Sequence, residues 1–187
     1  YKARLAVRDK RLSRMSEGSK DSPFYLYTQA VIHFQWSAVK IKFGERLSAA
    51  WEFRKAYLIF RENQRKFPGF TPNNIYTGAM QAVIGTIPNG YKWITNILGM
   101  DGSITRGMAL LQGYVNDTGA YGQLFKNEAY LYYCYLEFYI RRKPEEVFRF
   151  IDEHGIDTRN NQLYAFMAVN LAINHQMGNY AMNIMLQ

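Results

Sequence analysis

Apolar residues recur along this chain every three to four positions, and short polar breaks cut the recurrence into helix-length segments. Residues 2–16 read as a basic, mildly amphipathic helix, followed by a polar linker over 17–22. Ser22-Pro23 is a helix start, an N-cap before a proline at the first helical position. The next helix, about 23–43, places Phe24, Tyr27, Ala30, Val31, Phe34, Ala38 and Ile41 on the 3.6-residue period. A third, about 45–67, carries Ala49, Phe53, Ala56, Tyr57, Phe60 and Phe67 on one side and charge on the other. Past the Pro68-Gly69 and Thr71-Pro72 breaks, residues 73–85 form a helix of small side chains, Gly78, Ala79 and Ala82, suited to close packing against a neighbour. Ile87-Pro88-Asn89-Gly90 is a turn, and a short helix to Leu98 stops at Gly99. Ser103 caps a helix running to about Val115, and Gly119 and Gly122 punctuate a loop. Helices follow over 124–142, over 144–154 between Pro144 and Gly155, and over 159–176, and Gly178-Asn179-Tyr180 opens a last one. No stretch alternates with period two, so the fold class is all-α.

The second and third helices carry a finer pattern. Phe43-Gly44-x-x-Leu47, Ala56-x-x-x-Phe60 and Phe67-Pro68 match the small, aromatic and proline positions of a tetratricopeptide helix pair. Such antiparallel pairs stack into a right-handed solenoid with a concave binding surface. On this reading Gly44 lies where the two helices cross. The chain is then one helical-repeat domain over 1–187: a basic N-terminal helix (1–20), a first repeat-like pair (23–68), a short-helix insert (71–118) and further repeat-like helices (123–187). The absence of Met at Tyr1, and an ending inside the amphipathic run 180–187, lead us to expect a piece of a longer array. Further along stand Gly78-Ala79, Gly85-Thr-Ile-Pro88, Ile97-Leu98-Gly99-Met-Asp-Gly102 and Arg106-Gly107-x-x-Leu110-Leu111. With these motifs, residues 40–187 resemble the tetratricopeptide-repeat protein 39 family, which includes the yeast inclusion-clearance proteins of the mitochondrial outer membrane. The resemblance implies an adaptor or scaffold without a catalytic motif. Two departures stand out: Lys40 occupies a position where the repeat pattern has tryptophan, and the pair over 124–155 has a short second helix.

Composition agrees with a packed helical protein. Of 187 residues, 48% are apolar and 20% charged, which excludes a disordered chain. Aromatic content is high, with 15 Tyr and 12 Phe, and serves either as bulky filling between helices or as the lining of a groove for peptide, lipid or glycan. The single Cys134 has no intrachain disulfide partner and reads as a buried, inert thiol. The most apolar segment, 129–140, is too short to span a bilayer and contains Glu137, so it reads as a buried central helix. The segment is expected to be soluble, facing the cytoplasm or a cell envelope; its compartment and oligomeric state stay open.

Charge is uneven. The net is +8, and residues 1–20 carry seven basic groups against Asp9 and Glu17, while residues 40–66 carry eight against Glu45, Glu52 and Glu62. Two readings follow: a solvated helix face, or a surface for an anionic partner such as an acidic peptide, a lipid headgroup or RNA, with Arg8, Arg11 and Arg14 as its test residues. Aromatics interleaved at helical spacing face the core, which weakens the RNA reading.

Candidate chemistry is sparse. His33, His154 and His175 have no His or Cys at metal-ligand spacing, so neither a metal nor a cofactor is expected. His154 precedes Gly155, where an imidazolium meets a helix C-terminus, and Glu145-Glu146 suit the first turn after Pro144. Glu137 stands in an apolar helix, four residues before Arg141, and is expected to pair with it. Gly85-x-x-x-x-Gly90-Tyr91-Lys92 resembles a phosphate loop, but its lysine is one place late and no strand precedes it. A helix-turn-helix likeness over 93–111 has Arg106 as the sole basic residue of its second helix, so DNA is not an expected partner. Asn116-Asp117-Thr118 is a glycosylation sequon of the kind common by chance. Asn170, Asn174, His175 and Asn179 are the candidate partner groove, because groove asparagines in tetratricopeptide repeats bind ligand backbone or carboxylate. No catalytic residue is assigned. A protein- or peptide-binding scaffold is favoured, then an envelope- or membrane-surface protein holding lipid or glycan in an aromatic groove, then an enzyme.

Overall fold

The computed structural model describes residues 1–15, 17–91, 95 and 98–186. The expected short helix before Gly99 and Lys92 of the phosphate-loop-like run fall outside the described residues. The described residues form nine α-helices and one 3₁₀ turn, without a strand: α1 (Lys2–Met15), α2 (Pro23–Lys42), α3 (Arg46–Lys66), α4 (Asn73–Gly85), the 3₁₀ turn Asn89–Tyr91, α5 (Ile104–Val115), α6 (Lys126–Tyr139), α7 (Pro144–Glu153), α8 (Gln162–Asn174) and α9 (Gly178–Met185).

Local chemistry explains the boundaries. Ser22 accepts from the Phe24 N–H at 3.3 Å with Pro23 behind it, and Ser103 accepts from the Arg106 N–H at 3.3 Å. Asn161 Oδ1 accepts from both Leu163 and Tyr164 N–H groups at the start of α8. Gly155 ends α7 at φ +55°, a left-handed cap that glycine adopts without strain.

Three helix pairs, α2–α3, α4–α5 and α8–α9, make the closest packings, and the central helix α6 lies between the last two. α2 and α3 fold back on one another through the turn at 43–45 and pack through Ala30, Ala49, Ala56 and Phe60. Gly44 is not at their crossing, as the repeat pattern led us to expect. It sits in the connecting turn at φ +80°, and a side chain placed there would meet nothing within 4 Å. Its role is the left-handed turn itself, where Glu45 N–H reaches back to the Lys40 carbonyl at 2.9 Å.

Backbone contact occurs instead between α4 and α5. A Cβ on Gly107 would lie 2.4 Å from the Gly78 carbonyl oxygen and 2.5 Å from the Ala82 nitrogen; a Cβ on Gly78 would lie 2.6 Å from the Gly107 oxygen. The small residues of 73–85 therefore do what their spacing predicts. This region, read as an insert, supplies Ile75, Tyr76, Met80, Leu111 and Tyr114, all fully enclosed. Around Tyr76 the rings of Tyr27, Phe34, Phe60 and Tyr132 pack at centroid distances of 5.2–5.8 Å, Phe60 stacked and the rest edge-on. Most of the aromatic excess is thus core filling. α6 is the buried central helix expected from 129–140; it touches α4, α5, α7 and α8 and encloses Ala129, Cys134 and Glu137.

Candidate functional site

The α8–α9 pair is set apart by its lack of charged residues. From residue 160 to residue 187 the sequence contains no Asp, Glu, Lys or Arg, in a chain that is 20% charged. The inward face of α8 is apolar and fully buried through Met167, Ala168, Leu171 and Ala172. Its outward face is apolar too: Leu163, Phe166 (63% exposed) and Ile173 (61%) lie open, and α9 adds Met182 and Met185, with Leu186 (79%) at its C-cap. A helix apolar all round is normally enclosed, and isolated exposed apolar residues are common; here six stand open on a helix pair that carries no Asp, Glu, Lys or Arg.

The asparagines of the candidate groove sit at this face without converging on a ligand position. Asn170, half-buried, accepts from the Tyr139 hydroxyl at 3.5 Å. Asn174 turns its amide back to the Asn170 carbonyl at 2.8 Å, a bond within its own helix. His175 caps α8, stacks its ring near Phe148 at 6.2 Å and lies 3.4 Å from Glu145. Asn179 is exposed in the first turn of α9, with no polar contact to the other three among the described residues. Sequence reasoning followed these amides; the signal that locates the surface is the missing charge.

A second polar centre lies at the opposite end of the chain. Glu52 of α3, 8% exposed, is met by three cationic or ionisable side chains. Lys40 Nζ donates to its Oε1 at 2.7 Å, His33 Nδ1 lies 2.5 Å from its Oε2, and the Arg8 guanidinium of α1 bonds Oε1. Lys40 also donates to Ser48 Oγ at 2.7 Å. Burial opposes the Glu52 charge, but the bonds from Lys40, His33 and Arg8 outweigh it and hold the carboxyl down at about 2. Burial likewise depresses His33, and the carboxylate fixes its proton on Nδ1. Of the candidate anion-attracting arginines, Arg8 is therefore turned inward with a side chain 11% exposed, while Arg11 and Arg14 are exposed. These four partners come from three helices, a distance in sequence that charge counting does not bridge.

Lys40 Nζ donates to both Ser48 Oγ and Glu52 Oε1, so the Ser48 oxygen serves as an acceptor in this cluster. Glu137, fully buried, pairs with Arg141 at 3.1 Å, as the four-residue spacing predicts. Burial raises its carboxyl and a hydrogen bond with Glu146 adds to this, against the pull of Arg141. Burial pushes the Cys134 thiol up to about 12, which makes it a poor nucleophile. Among the described residues no group of three or more His, Cys, Asp or Glu is placed to hold a metal ion, and no helix is long and apolar enough to cross a membrane. Compared with protein-family models, curated proteins and solved structures, the chain matches none of them.

Proposed function

We propose that this chain is a non-catalytic helical scaffold whose α8–α9 face docks a protein partner, with its helix pairs arranged as a tetratricopeptide-like array. The observation that carries the reading is the charge-free run 160–187 with six apolar side chains open on one helix pair. Charge is depleted at the cores of protein–protein contacts and apolar and aromatic residues are enriched there. The partner is another apolar, uncharged helical face, since nothing on α8 or α9 would pair with a charged one. The resemblance to the tetratricopeptide-repeat protein 39 family supports the same function. Phe166→Glu with Ile173→Glu tests it: both sites are exposed, so stability stays within about 0.5 kcal/mol of wild type. Native complexes containing the chain should shift to lower mass in velocity sedimentation of cell extract. Complexes of unchanged size would remove this face from the function.

A further inference from the structure

Between the α2–α3 pair and the C-terminal end of α4 lies an open cleft of about 450 Å³, within the size range of small-molecule sites. α2 contributes Ile41 to it, α3 contributes Ala50 and Phe53, and the end of α4 with the turn after it contributes Val83 and Ile87. Ile41 is 63% exposed and Val83 40%, so apolar side chains from two helices stand open towards one space. Ala49, Ile84 and Met100, all buried, back the cleft.

Only two of the ten lining residues are polar, Arg46 and Thr86. The Thr86 hydroxyl donates its proton to the Val83 carbonyl at 2.7 Å. Arg46 is exposed at the first position of α3, and among the described residues its side chain has no hydrogen bond or ion pair. Other cations of the α2–α3 pair are engaged: Lys40 bonds Glu52, and Arg54 donates to the Leu98 carbonyl at 2.8 Å. The cleft therefore offers a carbon surface and, at its rim, one cation free to pair.

That combination selects a class of ligand. The hydroxyls of a sugar or the edges of a base would be buried here without partners, at a cost for each polar group. The methylenes of an aliphatic chain gain by leaving water. A guanidinium at the rim matches a carboxylate, whose two oxygens it bonds in parallel. The ligand that fits is apolar along its length and anionic at one end.

We propose that this cleft binds a single-chain aliphatic carboxylate, with the chain against Ala50, Phe53, Val83 and Ile87 and the carboxylate on the Arg46 guanidinium. One wall belongs to the α2–α3 pair and the other to α4, so the ligand fastens the two together. The occupied chain is then more stable than the free one by mass action. This inference does not rest on the α8–α9 face.

The test is isothermal titration calorimetry of the full chain with decanoate below its micelle concentration, and with decanol as the uncharged comparison. Decanoate should bind at one site and raise Tm on saturation. Decanol should bind about tenfold more weakly, the loss of the charge-assisted pair. Arg46→Ala should weaken decanoate by the same factor and leave decanol unchanged. Ala50→Trp, at an exposed position, fills the cleft and should abolish binding of both. If that variant does not fold, Val83→Trp fills the cleft from the opposite wall. Absence of decanoate binding to wild type overturns the proposal, as do equal affinities for the two probes. Decanoate binding that survives a folded tryptophan variant, or is unmoved by Arg46→Ala, also overturns it. Binding lost instead in Phe166→Glu with Ile173→Glu would move the ligand to the α8–α9 face and overturn the cleft assignment.

Discussion

Two glycines in the same helix should respond to alanine with opposite signs. Gly107 and Gly113 both lie in α5, and both gain the helix-forming advantage of alanine, about 1 kcal/mol. At Gly113 a Cβ meets nothing within 4 Å, so that advantage is kept, and Gly113→Ala should stabilise the protein by about 0.5–1 kcal/mol. At Gly107 the added carbon would lie 2.4 Å from the Gly78 oxygen, 2.5 Å from the Ala82 nitrogen and 3.1 Å from the Ala82 Cα. All three atoms are backbone of α4 and cannot rotate aside, so the helices must part by about 1 Å to reach an ordinary contact. That separation loosens the enclosed side chains of Tyr76, Met80 and Leu111 beside it. Overpacking of this kind costs about 1–3 kcal/mol, and a contact with rigid backbone belongs at the upper end. After the propensity gain the net loss is about 2 kcal/mol, or about 4–8 °C in Tm for a chain of this size. Urea and thermal melts followed by circular dichroism measure both variants against wild type. A Gly107→Ala protein as stable as wild type would refute the reasoning, since it would mean that α4 and α5 do not touch through their backbones.

Acid should act on the two buried carboxylates in opposite directions. Glu52, ordinarily at 4.5 and held at about 2, contributes stability that is present above pH 4.5 and is lost as pH falls towards 2; the gap is worth about 3 kcal/mol. Urea midpoints between pH 5 and pH 2 should therefore fall less steeply in Glu52→Gln than in wild type, and parallel curves would show that the carboxylate is not held down. Glu137 is raised, so its contribution is full below the ordinary carboxylate value and declines as pH rises through the folded-state value. Glu137→Gln should match wild type near pH 4 and equal or exceed it at pH 8; a variant that loses more stability at pH 8 than at pH 4 would contradict this.

Most of the helices were legible in the residue pattern because their signals are local. Ser22 before Pro23, Ser103, and Gly155 after α7 act within one turn, and Glu137 finds Arg141 four residues on. The small side chains of 73–85 announce close packing wherever the partner lies. What was not legible is whatever depends on long-range pairing. Glu52 draws its partners from positions 12, 19 and 44 residues away, so Arg8 reads in sequence as one more solvated cation. Gly44 misled for a different reason: a glycine fits both a tight crossing and a left-handed turn, and a repeat motif names only the first. At α8 the asparagines drew attention as polar groups able to bind, yet one of them spends its amide on its own helix. The informative property there is an absence of charge over 28 residues, which no motif encodes.

Site-specific photo-crosslinking tests the central claim most directly. A benzoyl-phenylalanine at position 166, in the middle of the exposed face of α8, is compared with the same residue at position 65 on the basic side of α3. The scaffold reading predicts a discrete crosslinked product at 166 but not at 65, with the attachment mapping to an apolar helical segment of the captured protein, and its loss when Ile173→Glu is added. Crosslinking of equal yield at both positions, or a product at 166 that survives Ile173→Glu, would contradict it.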